Sequence, residues 1–89
     1  MAHEVKLGST VITKAALGVL DPQDVLKAIG RHSAGDWGEL SAEDRQVNED
    51  ALTKGGSLLS AYRDRHGRRF YVITEWDRSV TTVLLPEDY

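Results

Sequence analysis

Residues 57–86 read "SLLSAYRDRHGRRFYVITEWDRSVTTVLLP", and this stretch decides the fold. Three runs within it, "SLLSAYR", "RRFYVITEW" and "SVTTVLLP", are dense in β-branched and aromatic residues and read as strands. The linking segments "DRHG" and "WDRS" are short and polar, so the strands are expected to form a three-stranded antiparallel meander. Pro86 ends the last of them. In the middle run Phe70, Val72 and Thr74 alternate with Tyr71 and Ile73, which leaves both faces largely apolar. A sheet wetted on one side alternates apolar with polar instead. Helices can cover one face. The other needs the N-terminal segment over it, or a partner protein or second copy, because large bare apolar patches mark interfaces.

Working outward, the pattern changes period before Gly55–Gly56, a helix stop. The helix that ends there starts at Ser41, an N-cap, with Glu43 and Asp44 near its positive end. Its buried stripe is expected to hold Val47, Ala51 and Leu52, with Asn48 on nearly the same face. In "DPQDVLKAIGRH" (21–32) Asp21 caps, Pro22 suits the first helical position, and Val25, Leu26 and Ile29 share a face. Thr13 can cap one or two turns over "KAALGVL". Residues 4–12, "EVKLGSTVI", are strand-like and interrupted by Gly8. The order is a strand and short helix, two helices, then the meander. That is an α+β architecture with helices on one sheet face, in a single domain over residues 1–89.

The 89 residues contain no cysteine, which excludes disulfides, thiolate metal sites and a thiol nucleophile. No apolar run approaches the roughly 18 residues of a membrane span, and the N-terminus lacks a secretory core, so a cytoplasmic protein is expected. Net charge is −3, yet "RDRHGRR" (63–69) carries a local +3 from Arg63, Arg65, Arg68 and Arg69 against Asp64. A globally acidic chain with one basic turn makes a poor general nucleic-acid binder. Regulation of DNA through that hairpin is the least favoured role. His3, His32 and His66 have no metal-ligand spacing, and no phosphate-cradling or dinucleotide motif occurs, so neither metal nor cofactor is expected.

The segment "RHSAGDWGEL" (31–40) mixes chemistry-bearing residues with glycines. Gly35 and Gly38 allow reversals, Asp36 can organise a turn, and Trp37 offers a large plate to pin the loop. His32, at a helix end, can donate to open carbonyls there, and the helix dipole favours its protonated form. The plain reading is a rigid helix-to-helix connection held by Trp37 and Asn48. Two functional readings sit beside it. The first is a non-catalytic interaction module docking on a protein partner or on itself. Its contact residues would be His32, Asp36, Trp37, Tyr71, Arg78 and the hairpin arginines Arg63, Arg65, Arg68 and Arg69. The second is a metal-independent ribonuclease of barnase-like type. There His32 would be the general acid/base, Glu75 the second, Arg78 the phosphate holder, and Ser60, Thr74 and Thr81 positioning hydroxyls.

Three blocks together, "RHSAGDWGEL", "GGSLLSAYR" and "ITEWDRSVTTVLLPEDY", resemble a family of small proteins carried on plasmids, integrative elements and prophages. Its members are usually labelled plasmid-related, and sometimes as a type I restriction subunit. The resemblance covers roughly residues 5–89. His32, Gly35, Asp36, Trp37, Gly38, Asp44, Asn48, Ser60, Tyr62, Thr74, Asp77, Arg78, Ser79, Thr81 and Thr82 stand on the family pattern. The sequence departs from it near "ITKAAL" and at Trp76. What the resemblance implies is genetic context: accessory proteins of mobile elements often counter host defences, as anti-CRISPR or anti-restriction inhibitors.

Overall fold

A computed structural model describes residues 4–89; His3 lies outside them. The order is β1 (Ser9–Ile12), α1 (Lys14–Val19), α2 (Pro22–Ser33), α3 (Ala42–Lys54), β2 (Leu58–Arg63), β3 (Arg69–Thr74) and β4 (Val80–Leu84). A single 3-10 turn, Pro86–Asp88, follows. The three expected caps all form. Thr13 accepts from the Ala16 amide, Asp21 from those of Gln23 and Asp24, and Ser41 from that of Asp44. Each satisfies an amide that the first helical turn leaves open.

The meander forms as expected, but the sheet has four strands in the order β1-β4-β3-β2. The N-terminal strand runs parallel to β4, pairing Ser9 with Val80 and Ile12 with Val83. Gly8 makes the approach possible: its φ is +62°, and a Cβ there would run into the Arg78 and Ser79 carbonyl oxygens. The Ser9 amide then donates to the Ser79 carbonyl at 2.9 Å.

Registers sort the strand residues into two faces. One carries Leu58, Ser60 and Tyr62, Phe70, Val72 and Thr74, and Thr81 and Val83, all buried beneath the helices. The other carries Leu59, Ala61, Tyr71, Ile73, Thr82, Leu84 and Val11. The N-terminal segment does not shield this second face. It lengthens the sheet, and its Val5 packs on the helix side with Trp37, Ala51 and Leu58.

Helix faces differ from the sequence expectation by one residue in two places. α2 buries Val25, Ala28 and His32, leaving Leu26 70% exposed. α3 buries Asn48 and Ala51, leaving Val47 61% exposed. Neighbouring helix positions differ by about 100°, and in α3 the polar Asn48, rather than Val47, selects the side turned to the sheet. Its amide nitrogen donates to the Leu59 carbonyl at 2.6 Å, and its oxygen accepts from the Leu59 amide at 3.1 Å.

Candidate functional site

Ser60, Thr74 and Thr81 occupy the helix-facing positions of β2, β3 and β4, where an unpartnered hydroxyl would be costly. His32 reaches them from the last turn of α2. Its Nδ1 lies 2.5 Å from Ser60 Oγ and its Nε2 2.8 Å from Thr74 Oγ1. Thr74 Oγ1 in turn lies 2.8 Å from Thr81 Oγ1, and the Thr81 hydroxyl donates to the Leu7 carbonyl at 2.7 Å.

That terminal acceptor fixes every proton in the chain. Thr81 uses its only proton on Leu7, so Thr74 donates to Thr81. Thr74 therefore accepts from Nε2–H, and Ser60 donates to a bare Nδ1. The imidazole is thus the neutral Nε2–H tautomer. All four side chains are completely buried, and the ring stacks edge-to-face on Trp37 with centroids 5.7 Å apart. Burial lowers the His32 pKa to about 4, with the nearby Arg78 guanidinium adding a smaller push in the same direction. The expectation of a protonated His32 donating to helix-end carbonyls is corrected: strand hydroxyls take both nitrogens, and the interior excludes the charge.

Trp37 is also buried, at 4% exposure, and its indole N–H donates to the Glu49 carboxylate at 2.7 Å. The loop around it closes the outer edge of β2. The Ala61 amide donates to the Trp37 carbonyl at 3.1 Å, and the Glu39 amide donates to the Ala61 carbonyl at 2.7 Å. Asp36 holds the turn. Its carboxylate pairs with Arg31 at 2.7 Å and accepts from the Gly38 amide, while its carbonyl accepts from the Tyr62 hydroxyl at 2.5 Å. The Arg31 bond keeps the Asp36 carboxyl below the usual range. Burial raises Tyr62 to about 12.

Arg78 has a left-handed backbone, φ +62°, and its guanidinium bonds four carbonyls: Gly56 at 2.7 Å, Glu75 at 3.1 Å, Trp76 at 3.2 Å and Ala51 at 3.2 Å. It ties the end of α3 to the β3–β4 turn. The six residues of the ribonuclease reading thus divide. His32, Ser60, Thr74 and Thr81 do come together, but in a sealed interior. Arg78 is occupied by backbone, and Glu75 stands exposed at the start of the hairpin. Neither ring nitrogen of His32 is left to meet a substrate.

The hairpin arginines are largely tethered too. Arg63 pairs with Glu39 at 2.9 Å, Arg65 with Asp24 at 3.0 Å and Asp21 at 3.3 Å, and Arg69 lies 5.7 Å over the Tyr71 ring. Arg68 is exposed. A polar pocket of about 240 Å3 opens between this hairpin and α2, lined by residues that include Asp24, Lys27, Arg31 and Asp64. Asp64 uses one carboxylate oxygen to accept from the His66 and Arg68 amides and so shapes the turn.

Comparison with protein-family models, curated proteins and solved structures returns no match. Among the described residues no group of three His, Asp or Glu side chains is placed to hold a metal ion, and no helix is long and apolar enough to cross a membrane.

Exposed apolar residues are what the sequence reading missed. Val11, Leu17 and Leu26 stand 47%, 63% and 70% exposed, and Trp76 is 70% exposed at the β3–β4 turn. Periodicity groups Leu26 with buried Val25, but periodicity over one helix does not reveal where the neighbouring sheet ends. For the interior cluster a signal did exist. Hydroxyls at Ser60, Thr74 and Thr81 alternate with outward residues, and His32 falls one heptad after Val25.

Proposed function

We propose that the protein is a non-catalytic docking module that binds a protein partner through the helix-free face of its sheet. The observation that carries this reading is the row Leu59, Ile73 and Thr82, half-buried in the centre of that face with no helix over it. Tyr71 beside them carries two ring contacts, Tyr89, itself 78% exposed, and the Arg69 guanidinium. Apolar rows left open in a chain of this size are a usual mark of an interface. The sealing of His32 and the backbone engagement of Arg78 support docking over catalysis. His32 and Trp37 act beneath the surface as bracing, while Tyr71 and exposed Arg68 remain available to a partner.

The resemblance to accessory proteins of mobile elements gives the partner a class: a protein of a host CRISPR or restriction system, held inactive by the complex. The test is plasmid transformation or phage plating in cells carrying such a system, with wild-type chain beside Ile73→Lys. Wild type is expected to raise the efficiency and Ile73→Lys to lose the effect while melting normally. Growth arrest on expression, relieved by His32→Ala, would overturn the reading in favour of a toxin.

A further inference from the structure

The sheet's two edges are finished differently. The outer edge of β2 is closed by the Trp37–Glu39 loop and by Asn48. β1 forms the other edge, and it is open. The Ser9 and Thr13 amides donate inward to the Ser79 and Val83 carbonyls, both at 2.9 Å. In a parallel ladder the inward residues alternate, so Ser9, Val11 and Thr13 face β4 while Thr10 and Ile12 point their N–H and C=O groups away from it. Among the described residues no hydrogen bond outside the ladder reaches Thr10 or Ile12. The strand "STVI" has no charge, proline or bulge, the usual means of keeping an edge unpaired.

Beside this edge the helical layer overhangs. A groove of about 330 Å3 runs between β1 and the helices, its walls including Thr10, Val11 and Ile12 on one side and Leu17, Leu26 and Ile29 on the other. No charged residue lines it. A strand laid along β1 would seat every second side chain under that overhang.

We propose that the β1 edge and its groove form a strand-addition site for an extended apolar segment of a partner protein. The bare backbone groups call for an extended chain, and the uncharged groove calls for apolar side chains at alternate positions. Area argues against a second copy as the occupant. Leu17 and Leu26, 63% and 70% exposed, together leave of the order of 250 Å2 bare in the groove, well below the roughly 800 Å2 per partner of a standard stable interface. A short strand needs less, because ladder hydrogen bonds supply much of its hold.

The groove shares only Val11 with the helix-free face, and Ile73 lies outside it, so its test runs independently of the docking reading. Short random peptides displayed on phage are selected against the full chain, and the best one is synthesised and titrated. Alternating apolar, β-branched sequences are expected to be enriched. Their binding should slow hydrogen exchange at the Thr10 and Ile12 amides and weaken by roughly tenfold or more in Leu26→Lys. Leu26 is 70% exposed, so that variant keeps its fold; Thr10→Pro removes the outward amide as a second block, and Ile73→Lys leaves the affinity unchanged. The proposal is overturned by failure to enrich any sequence, or by peptide binding that Leu26→Lys does not alter. A concentration-dependent dimer dissolved by Leu26→Lys overturns it as well, by making a second copy the occupant.

Discussion

The Asn48 side-chain amide pairs with both backbone groups of Leu59, donating at 2.6 Å and accepting at 3.1 Å. One side chain thus does for the β2 edge what a neighbouring strand would do, and it sets the rotation of α3 on the sheet. Asn48→Ala leaves a buried amide and carbonyl without partners and is expected to cost about 2–3 kcal/mol. Urea unfolding measures it. A loss under about 0.5 kcal/mol, the level of an ordinary surface substitution, would show that the pair adds nothing.

A second prediction concerns pH. Folded His32 takes up its proton near pH 4, whereas the unfolded residue does so near 6.5. Between those values the unfolded chain holds more protons, so the stability tied to His32 is present above pH 6.5 and is lost as pH falls toward 4. The full loss is of the order of 3 kcal/mol. Asp24, Asp36 and Asp77 are held below the usual carboxylate range, so their losses come at lower pH. Unfolding free energies at pH 7 and pH 5 should show the slope in wild type and lose most of it in His32→Phe. An NMR titration of the imidazole with a midpoint near 6.5 would refute the account.

Arg78 offers a paired comparison. Arg78→Ala loses the four carbonyl bonds and keeps a strained left-handed backbone. Arg78→Gly loses the same bonds but relieves the strain, which for an L-residue amounts to about 1 kcal/mol. Both should be destabilised, the alanine variant more by about that amount. Equal melting temperatures for the two would mean that the backbone at residue 78 relaxes without cost.

Glycines at similar φ should differ by surroundings. Gly38 has φ +75°, and a Cβ there would meet the Ala61 carbonyl oxygen and the Tyr62 ring. Gly67 has φ +79° with open space around it. Gly67→Ala should cost about 1 kcal/mol, and Gly38→Ala distinctly more, since the loop that closes the β2 edge must move. Thermal melts of both variants decide it, and a smaller loss for Gly38→Ala would sink the close-approach argument.

Much of this architecture was legible along the chain because its causes are local. The caps at Thr13, Asp21 and Ser41 act within three residues, and the alternation in 57–86 that marks the meander repeats every second residue. The same alternation put Ser60, Thr74 and Thr81 on one side, and the odd mixture in "RHSAGDWGEL" marked a braced loop. What tertiary structure alone decided spans long separations. His32 meets Thr74 across 42 residues, and Thr81 meets the Leu7 carbonyl across 74. Residues 4–12 read as a strand, but no local pattern tells a strand which edge to join. That choice depended on Gly8 fitting against the β3–β4 turn, and it left one edge of the sheet open and one face without an α-helix over it. Propensity and periodicity set what each segment becomes; only packing, where donors find acceptors and surfaces find cover, determines which groups are sealed inside and which are left to meet another molecule.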